Sequence, residues 1–464
     1  MRYHTILVAI FLSITSNNAI AQSKTLLTKA EKIYALSQFW KEMHYNFAYP
    51  ERLQQVNIDS LYLVYLPKIE QAESLKDYYF TLQSFLAHFN EAHTRMSTPA
   101  FGYPQITPRI FSQKVVVWNM PKSKVSTIPK GSEIVKINSI PIQQYLRDSV
   151  YPYVSAGTPQ AKLNLSMYPM LRGKEGTNIA LTVQTPTGEL ADVKLPRILH
   201  PQPYPEEWAF PDDWVPVEVK IVGNDIGYIA LNTCNARHIK TIDSVFYRYL
   251  LQLRQCRGLI IDIRNNSGGA DAAWQTIAEH IIHLSHVITS KNATRVHNAR
   301  YKTVGAWHCD KATAEAIGTT HDANSKYCDY YKNVAMQEIN SSAGWENFSH
   351  DSIKLHQPLV ILAGRTTASA GEDFLLLLKA SARGVVIGEA SSSCVGGPLF
   401  LPLPGGLNAY IAASRVSYAD GTEFYETGIL PDIVVPEDLS AFLKGKDNVL
   451  EQAIEELRKR TKKK

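Results

Sequence analysis

The sequence predicts an α/β fold built on a mainly parallel sheet. Nearly continuous apolar runs at 226–231, 258–264 and 358–362 are typical of strands that are buried on both faces. Amphipathic helices are predicted between and after these strands, over residues 239–253, 272–284 and 372–381. Because strands and helices alternate repeatedly, neighbouring strands should run parallel.

Length and charge narrow the classes of function. A chain of 464 residues suggests about two to four domains, and 45% apolar residues predict packed cores. The net charge is +5, but six positive charges lie within residues 458–464, so the rest of the chain is close to neutral. Nucleic-acid-binding proteins usually carry a basic face, and this balance argues against nucleic acid as a partner.

The first residues have the pattern of a secretory signal peptide. Arg2 precedes an apolar run at residues 5–14, and Ala19-Ile20-Ala21 forms an A-x-A cleavage site. The run is shorter than the roughly 20 residues that span a bilayer. We therefore expect a signal peptide at 1–21 and a mature chain without an integral membrane segment, exported to the periplasm or the extracellular space.

The mature chain divides into four predicted regions. Aromatic and apolar residues at helical spacing mark an N-terminal helical domain, and alternating strand patterns with hairpin turns mark a β-rich domain. A polar, irregular segment interrupts the α/β domain as an insertion or lid. The expected boundaries are 22–104 for the helical domain, 105–200 for the β-rich domain, 217–436 for the α/β domain with its insertion at about 288–350, and 437–464 for a C-terminal helix and basic tail.

Five cysteines are present, so at least one thiol is free. Cys309 and Cys328 bracket a polar stretch of the insertion and are the best candidates for a disulfide in an exported protein. The cysteines and histidines lack the spacing of a zinc site, and no metal is expected.

Two turns that follow buried strands are candidate site elements. In residues 264–269, Gly268 and Gly269 would let backbone N–H groups face an anion or oxyanion, although a plain strand-to-helix turn explains the glycines equally well. In residues 366–373, Ser369 would lie at a helix N-terminus. The alternative is that Ser369 is only an N-cap, with Glu372 completing a capping box.

Four motifs occur in order: Asn90-Glu-Ala-His-Thr94, Arg264-Asn-Asn-Ser-Gly-Gly269, Thr367-Ala-Ser-Ala370 and Gly428-Ile-Leu-Pro-Asp432. Together they resemble the C-terminal-processing (tail-specific) serine peptidase family. The resemblance implies a ClpP/crotonase-like α/β catalytic domain with an N-terminal helical domain. It also implies that the β-rich domain is PDZ-like.

The resemblance implies a serine nucleophile at Ser369. Where the Ser/Lys branch of the family has its lysine, this chain has Cys394, so it is closer to the tricorn-core-like Ser/His branch. His93 then corresponds to the base, with His88 as its competitor. An orienting acid would be Glu426 or Glu423, and the oxyanion hole would combine the N–H of Ala370 with that of Gly268 or Gly269. We expect the acid limb of the kcat/KM profile near pH 6 to 7, the ordinary range of histidine.

The implied function is an exported serine endopeptidase that cleaves unfolded or C-terminally exposed polypeptides through an acyl-enzyme on Ser369. No metal or organic cofactor is implied, and the oligomeric state is open. The pair Glu91-Ala92 departs from the Asp-Gly that the family has before the histidine. Two alternatives stay open: a catalytically inactive peptide-binding protein of the same fold, and a cysteine-dependent enzyme that uses Cys394.

Overall fold

The computed structural model describes residues 27–199, 205–211, 214–223, 225–339, 344–346 and 353–462. The expected signal peptide lies outside these residues. No helix in the described part of the chain is long and apolar enough to cross a membrane.

The first described residues form a helical region that ends just before the predicted histidine. Its elements are α1 (Lys29–Asn46), α2 (Pro50–Val56), α3 (Ile58–Glu70), α4 (Leu75–Ala87) and the short strand β1 (Arg95–Met96). Thr28 caps α1 with a capping box, and Ser74 caps α4 by accepting the N–H of Asp77. The helices bury an aromatic core that includes Phe39 and Phe85.

A β-rich region follows, with its own core. Its elements are β2 (Thr107–Phe111), β3 (Lys114–Asn119), β4 (Ser132–Ile137), β5 (Ile140–Pro141), α5 (Ile142–Tyr145), α6 (Pro159–Ser166), β6 (Asn178–Gln184) and β7 (Leu190–Pro196). The strands form one antiparallel sheet in the order β2-β3-β4-β6-β7, and β5 pairs with β4. Strand β6 alternates buried and exposed residues because one face of this sheet covers the core.

The α/β region contains the remaining elements. In chain order they are β8 (Val217–Val222), β9 (Ile226–Leu231), α7 (Ile239–Gln255), β10 (Gly258–Asp262), α8 (Ala272–Ile281), β11 (His286–Ile288), β12 (Ser290–Arg295), α9 (Ala299–Cys309), α10 (Lys311–Ile317), α11 (Cys328–Tyr331), β13 (Met336–Glu338), β14 (Gly344–Glu346), β15 (Leu359–Ala363), α12 (Ala370–Ala380), β16 (Gly384–Gly388), β17 (Pro398–Pro402), β18 (Asn408–Ala412), β19 (Arg415–Tyr418), β20 (Ile433–Val434), α13 (Leu439–Leu443) and α14 (Asn448–Lys462).

The central sheet has the order β20-β16-β15-β10-β9-β8. All neighbours are parallel except β8, which pairs antiparallel with β9 at one edge. Every residue of β10 and β15 is buried, because α7, α8 and α12 cover one face of the sheet and α14 covers the other. The predicted fold class, an α/β fold with a helical N-terminal region and a β-rich domain, is confirmed.

Two smaller sheets join the regions. Strand β1 pairs with β18, which also pairs with β17, so the segment after α4 is fastened to the α/β region. In the insertion, β12 pairs with β13 and with β19. The structure confirms the disulfide between Cys309 and Cys328, whose Cα atoms are 5.6 Å apart. The thiols of Cys234, Cys256 and Cys394 are free.

Candidate active site

Ser369 lies in the turn between β15 and α12. Its backbone has φ 52° and ψ −128°, a region that non-glycine residues rarely occupy and that costs of order 1–3 kcal/mol. Thr367 shapes the turn: its Oγ1 donates to the carbonyl of Ile263 (2.9 Å) and accepts the N–H of Gly364 (3.1 Å). The Ser369 side chain is partly exposed at the start of α12, as a nucleophile requires.

The glycine turn after β10 lies directly against Ser369. A Cβ atom at Gly268 would be 2.6 Å from Cβ of Ser369 and 3.1 Å from N of Ala370. The N–H of Gly268 donates to Oδ1 of Asn266 (2.9 Å) and is therefore occupied. The N–H groups of Gly269 and Ala370 donate to no acceptor among the described residues. Of the two predicted glycines, Gly269 is thus the better oxyanion donor.

Glu372 is buried next to the nucleophile turn and accepts several hydrogen bonds. Its carboxylate accepts the N–H groups of Ser369 (3.3 Å), Ser393 (2.8 Å) and Cys394 (2.8 Å), and the hydroxyl of Ser391 (2.5 Å). Burial raises the pKa of Glu372 to about 7, although these hydrogen bonds lower it. The capping interaction expected from sequence is therefore one contact of a larger network that joins α12 to residues 391–394.

His93 lies in the turn between α4 and β1 and is 6% exposed. Its pKa is lowered to about 4, mainly by burial and secondarily by the neighbouring Arg95, against the effect of a hydrogen bond with the backbone of Val395. The preceding residue, Cys394, accepts the N–H of Ser369 on its carbonyl at 2.7 Å. The segment 394–395 therefore contacts both the histidine and the serine, and His93 is neutral at pH 7.

The competing histidine is engaged within the helical region. Nε2 of His88 forms a 3.1 Å hydrogen bond with the hydroxyl of Tyr65, and the two rings pack edge to face. Burial lowers the pKa of His88. His88 is therefore held within the helical region, and His93 stays the predicted base.

The two predicted acids form salt bridges with arginines and do not bond to the ring of His93. Glu423 pairs with Arg415 at 2.7 Å, and Glu426 pairs with Arg52 at 2.5 Å. Their side chains are 45% and 72% exposed. Within the described residues, the buried Nδ1 of His93 has no hydrogen-bond partner. The structure does not bring either carboxylate to the imidazole, because a guanidinium neutralises each, and an orienting role for them stays a prediction.

Cys394 and Glu91 are hydrogen-bonded to the predicted nucleophile and base, respectively. Burial raises the pKa of the Cys394 thiol well above its usual range, and nearby Glu91 and Glu372 act in the same direction, which disfavours a cysteine nucleophile. Glu91 itself is 1% exposed and accepts the backbone N–H of His93 at 3.0 Å. In the sequence, Glu91 stands out only as a departure from a motif. Its place two residues before His93 is the signal that could have identified it as a residue of the site.

A cavity of about 430 Å³ lies next to residues 363–366, which precede the nucleophile turn; neither Ser369 nor His93 lines it. The β-rich region contributes β2 and the end of α6 to its wall, and the α/β region contributes the residues that follow β10 and β15. Its lining includes Arg109, Met167, Asn265 and Thr366. The described residues contain no cluster of three or more histidine, cysteine or acidic side chains that could hold a metal ion.

Comparison with known proteins finds a family match over part of the chain. Residues 225–435 match the model of peptidase family S41. The matched segment makes up a little under half of the chain. The matched segment includes the glycine turn, Ser369 and both predicted acids, whereas His93 precedes it. The S41 match and the relatives below support a serine peptidase.

Two curated relatives are named as processing peptidases. The chain is 25% identical over 226 residues to the chloroplastic C-terminal processing peptidase of Tetradesmus obliquus, which covers 48% of this chain and 38% of that protein. It is 26% identical over 113 residues to the carboxy-terminal processing protease CtpB of Bacillus subtilis (strain 168), which covers 24% of this chain and 21% of that protein. The chain thus spans well under half the length of either relative.

Solved structures share the fold over most of the chain. Mature CPAF superposes with a TM-score of 0.66 at 14% identity, covering 94% of this chain and 97% of that one. The photosystem II D1 C-terminal processing protease gives a TM-score of 0.50 at 17% identity, covering 88% and 94%. At these identities the likeness concerns the fold.

Proposed function

We propose that this protein is an exported serine endopeptidase that cleaves unfolded or C-terminally exposed polypeptides through an acyl-enzyme on Ser369. The observation that carries the proposal is the contact of the glycine turn with a strained, partly exposed Ser369 at the start of α12. The processing activity named for the relatives and the expected signal peptide at 1–21 support the substrate class and the export.

In the proposed reaction, Oγ of Ser369 attacks the scissile carbonyl carbon while the neutral imidazole of His93 accepts the hydroxyl proton. The negative charge that develops on the carbonyl oxygen is stabilised by the N–H groups of Gly269 and Ala370. The imidazolium then returns its proton to the leaving amine. Water then attacks the carbonyl carbon of the acyl-enzyme ester while the imidazole of His93 accepts a proton from it. The imidazolium returns that proton to Oγ of Ser369, which leaves and frees the acid product.

The cavity between the β-rich region and residues 363–366 supports extended binding of a polypeptide. Strand β2 is an edge strand of its sheet and forms one wall of this cavity, so its free edge can pair with an added strand. A chain bound there would run from the β-rich region toward Ser369.

The test is labelling with a fluorophosphonate probe followed by peptide mapping. We expect the probe on Ser369 in the wild type and no labelling of Ser369→Ala. Both Ser369→Ala and His93→Ala should lower kcat on casein by at least ~10³, since such residues act as a unit. His88→Gln is the matched control and should retain activity.

Two outcomes would change the proposal. A folded wild type that binds unfolded polypeptides but neither labels nor cleaves would be the inactive peptide-binding protein. Loss of activity in His88→Gln, with His93→Ala fully active, would move the base to His88.

A further inference from the structure

Glu91 is a buried carboxylate beside the candidate base. Its Oε1 accepts the backbone N–H of His93 at 3.0 Å, and its Oε2 accepts Oγ1 of Thr94 at 2.7 Å. It is 1% exposed, so both acceptor atoms are withdrawn from water. Because a buried carboxylate is costly unless it is hydrogen-bonded, the turn and Glu91 stabilise each other.

The turn that carries His93 needs such a support. Asn90, just before Glu91, has a φ of 49°, which few non-glycine residues adopt. Among the described residues, no hydrogen bond holds Nδ1 of the His93 ring. The orientation of the imidazole is therefore set by its hydrogen bond with the backbone of Val395, by the backbone of the turn and by the packing around the ring.

Glu91 also connects this turn to two other regions. Its own N–H donates to Oγ of Ser155, which is buried and belongs to the β-rich region (2.8 Å). Thr94, which donates to the Glu91 carboxylate, accepts the N–H of Ala412 at the end of β18 (3.2 Å). The turn is thus fixed between the β-rich region and a strand of the α/β region.

We propose that Glu91 is a positioning residue for His93. Its carboxylate holds the turn so that the imidazole faces Ser369. In this role Glu91 replaces an acid that would be hydrogen-bonded to the ring itself. This inference rests on the proposed peptidase function. Glu91 contacts only the backbone of His93, so it does not take part in proton transfer.

The experiment compares Glu91→Gln with Ser155→Ala in the full mature chain. Glutamine keeps the shape and one acceptor oxygen, but its amide nitrogen cannot accept from either His93 or Thr94. We expect kcat on casein, and the rate of fluorophosphonate labelling at Ser369, to fall about 10- to 100-fold, with KM changed less than about threefold, because small misplacements of catalytic groups are costly. Ser155→Ala removes one support of the same turn but leaves the carboxylate in place, so kcat should fall clearly less than in Glu91→Gln.

The outcomes separate this inference from the proposed function. If Glu91→Gln lowers Tm but leaves kcat and the labelling rate at wild-type values, Glu91 is structural only. If Glu91→Gln does not fold, Glu91→Asp, which keeps the charge on a shorter side chain, is measured instead, and unchanged kcat there would overturn the inference. A wild type that neither labels nor cleaves overturns both proposals.

Discussion

At the scale of single residues, the environment of His93 changes the pH dependence expected from sequence. Burial lowers its pKa to about 4, so the imidazole stays neutral over a wider range than a free histidine. Below the folded-state pKa the ring carries a proton and cannot accept one from Ser369. The acid limb of kcat/KM should therefore lie below pH 6, not near 6.5. A limb at about pH 7 in a peptide assay would contradict this and point to Glu372, whose pKa is raised to about 7.

Glu372 should make the free energy of unfolding depend on pH. Its pKa is raised from 4.5 to about 7 on folding, so the folded state binds its proton more tightly than the unfolded state does. The resulting stabilisation is fully present below about pH 4.5 and is lost as the pH rises through 7. Urea unfolding should therefore show that Glu372→Gln gains stability relative to wild type between pH 5 and pH 8. An equal difference at both pH values would contradict the raised pKa.

Gly268 should tolerate no side chain. Its φ is +95°, and a Cβ would lie 2.6 Å from Cβ of Ser369 and 2.7 Å from the carbonyl oxygen of Ala368. Gly268→Ala should therefore displace Ser369 and abolish fluorophosphonate labelling. Gly188 is the matched control, since its φ is +93° but nothing lies within 4 Å of its Cβ position. Gly188→Ala should cost only about 1 kcal/mol of backbone strain and keep full labelling; equal loss in both variants would attribute the effect to backbone strain alone.

At the scale of elements, the insertion is fastened to helix α1. Arg295 of β12 donates to the carbonyl of Phe47 (3.2 Å), and the ring of His297 bonds to the carbonyl of Tyr45 (2.6 Å). These carbonyls lie at the C-terminal end of α1, where the helix dipole attracts cations. The strand β12 is also paired with β19. The insertion is therefore attached independently of its disulfide.

This attachment predicts a local effect of reduction. Cys309→Ser removes a crosslink that closes a loop of 19 residues, which the chain-entropy model values at roughly 3 kcal/mol. Hydrogen exchange should rise in α9, α10 and α11, while β12 and the labelling rate of Ser369 stay at wild-type values. A change in KM for casein would instead indicate that the insertion covers the cleft as a lid.

At the scale of the whole molecule, the sheet and the two turns were predictable because they depend on local patterns. Apolar runs such as 258–262 and the glycines that follow them are visible in the sequence itself. The partners of the carboxylates were not. Glu426 meets Arg52 from the helical region, and Glu372 receives donors from residues 391–394. Such contacts depend on how distant segments fold together, and no local spacing encodes them.

A charge network also joins the β-rich region to the glycine turn. Arg109 of β2 donates to both carboxylate oxygens of Glu437 (3.0 and 2.9 Å). Glu437 in turn accepts Nη1 of Arg264, the first residue of the glycine-turn segment, at 3.4 Å. Arg264 is further held by Asp262 and Asp447, which keep its pKa well above the usual range. The hydrogen bonds of this network are charge-assisted because both partners are ionised. They are poorly screened by salt because the network is partly buried.

Removing the shared carboxylate should loosen the β-rich region more than the glycine turn, because Asp262 and Asp447 still hold Arg264 while Arg109 loses its partner. Glu437→Gln should therefore lower kcat/KM for an unfolded polypeptide about 3- to 10-fold, corresponding to about 1 kcal/mol, and leave a short peptide nearly unaffected. Glu207→Gln is the control, since its pair with Lys122 is exposed and worth little. Equal losses on both substrates would show that the network acts on the glycine turn, whereas loss on the long substrate alone would mean that the β-rich region positions polypeptides for Ser369.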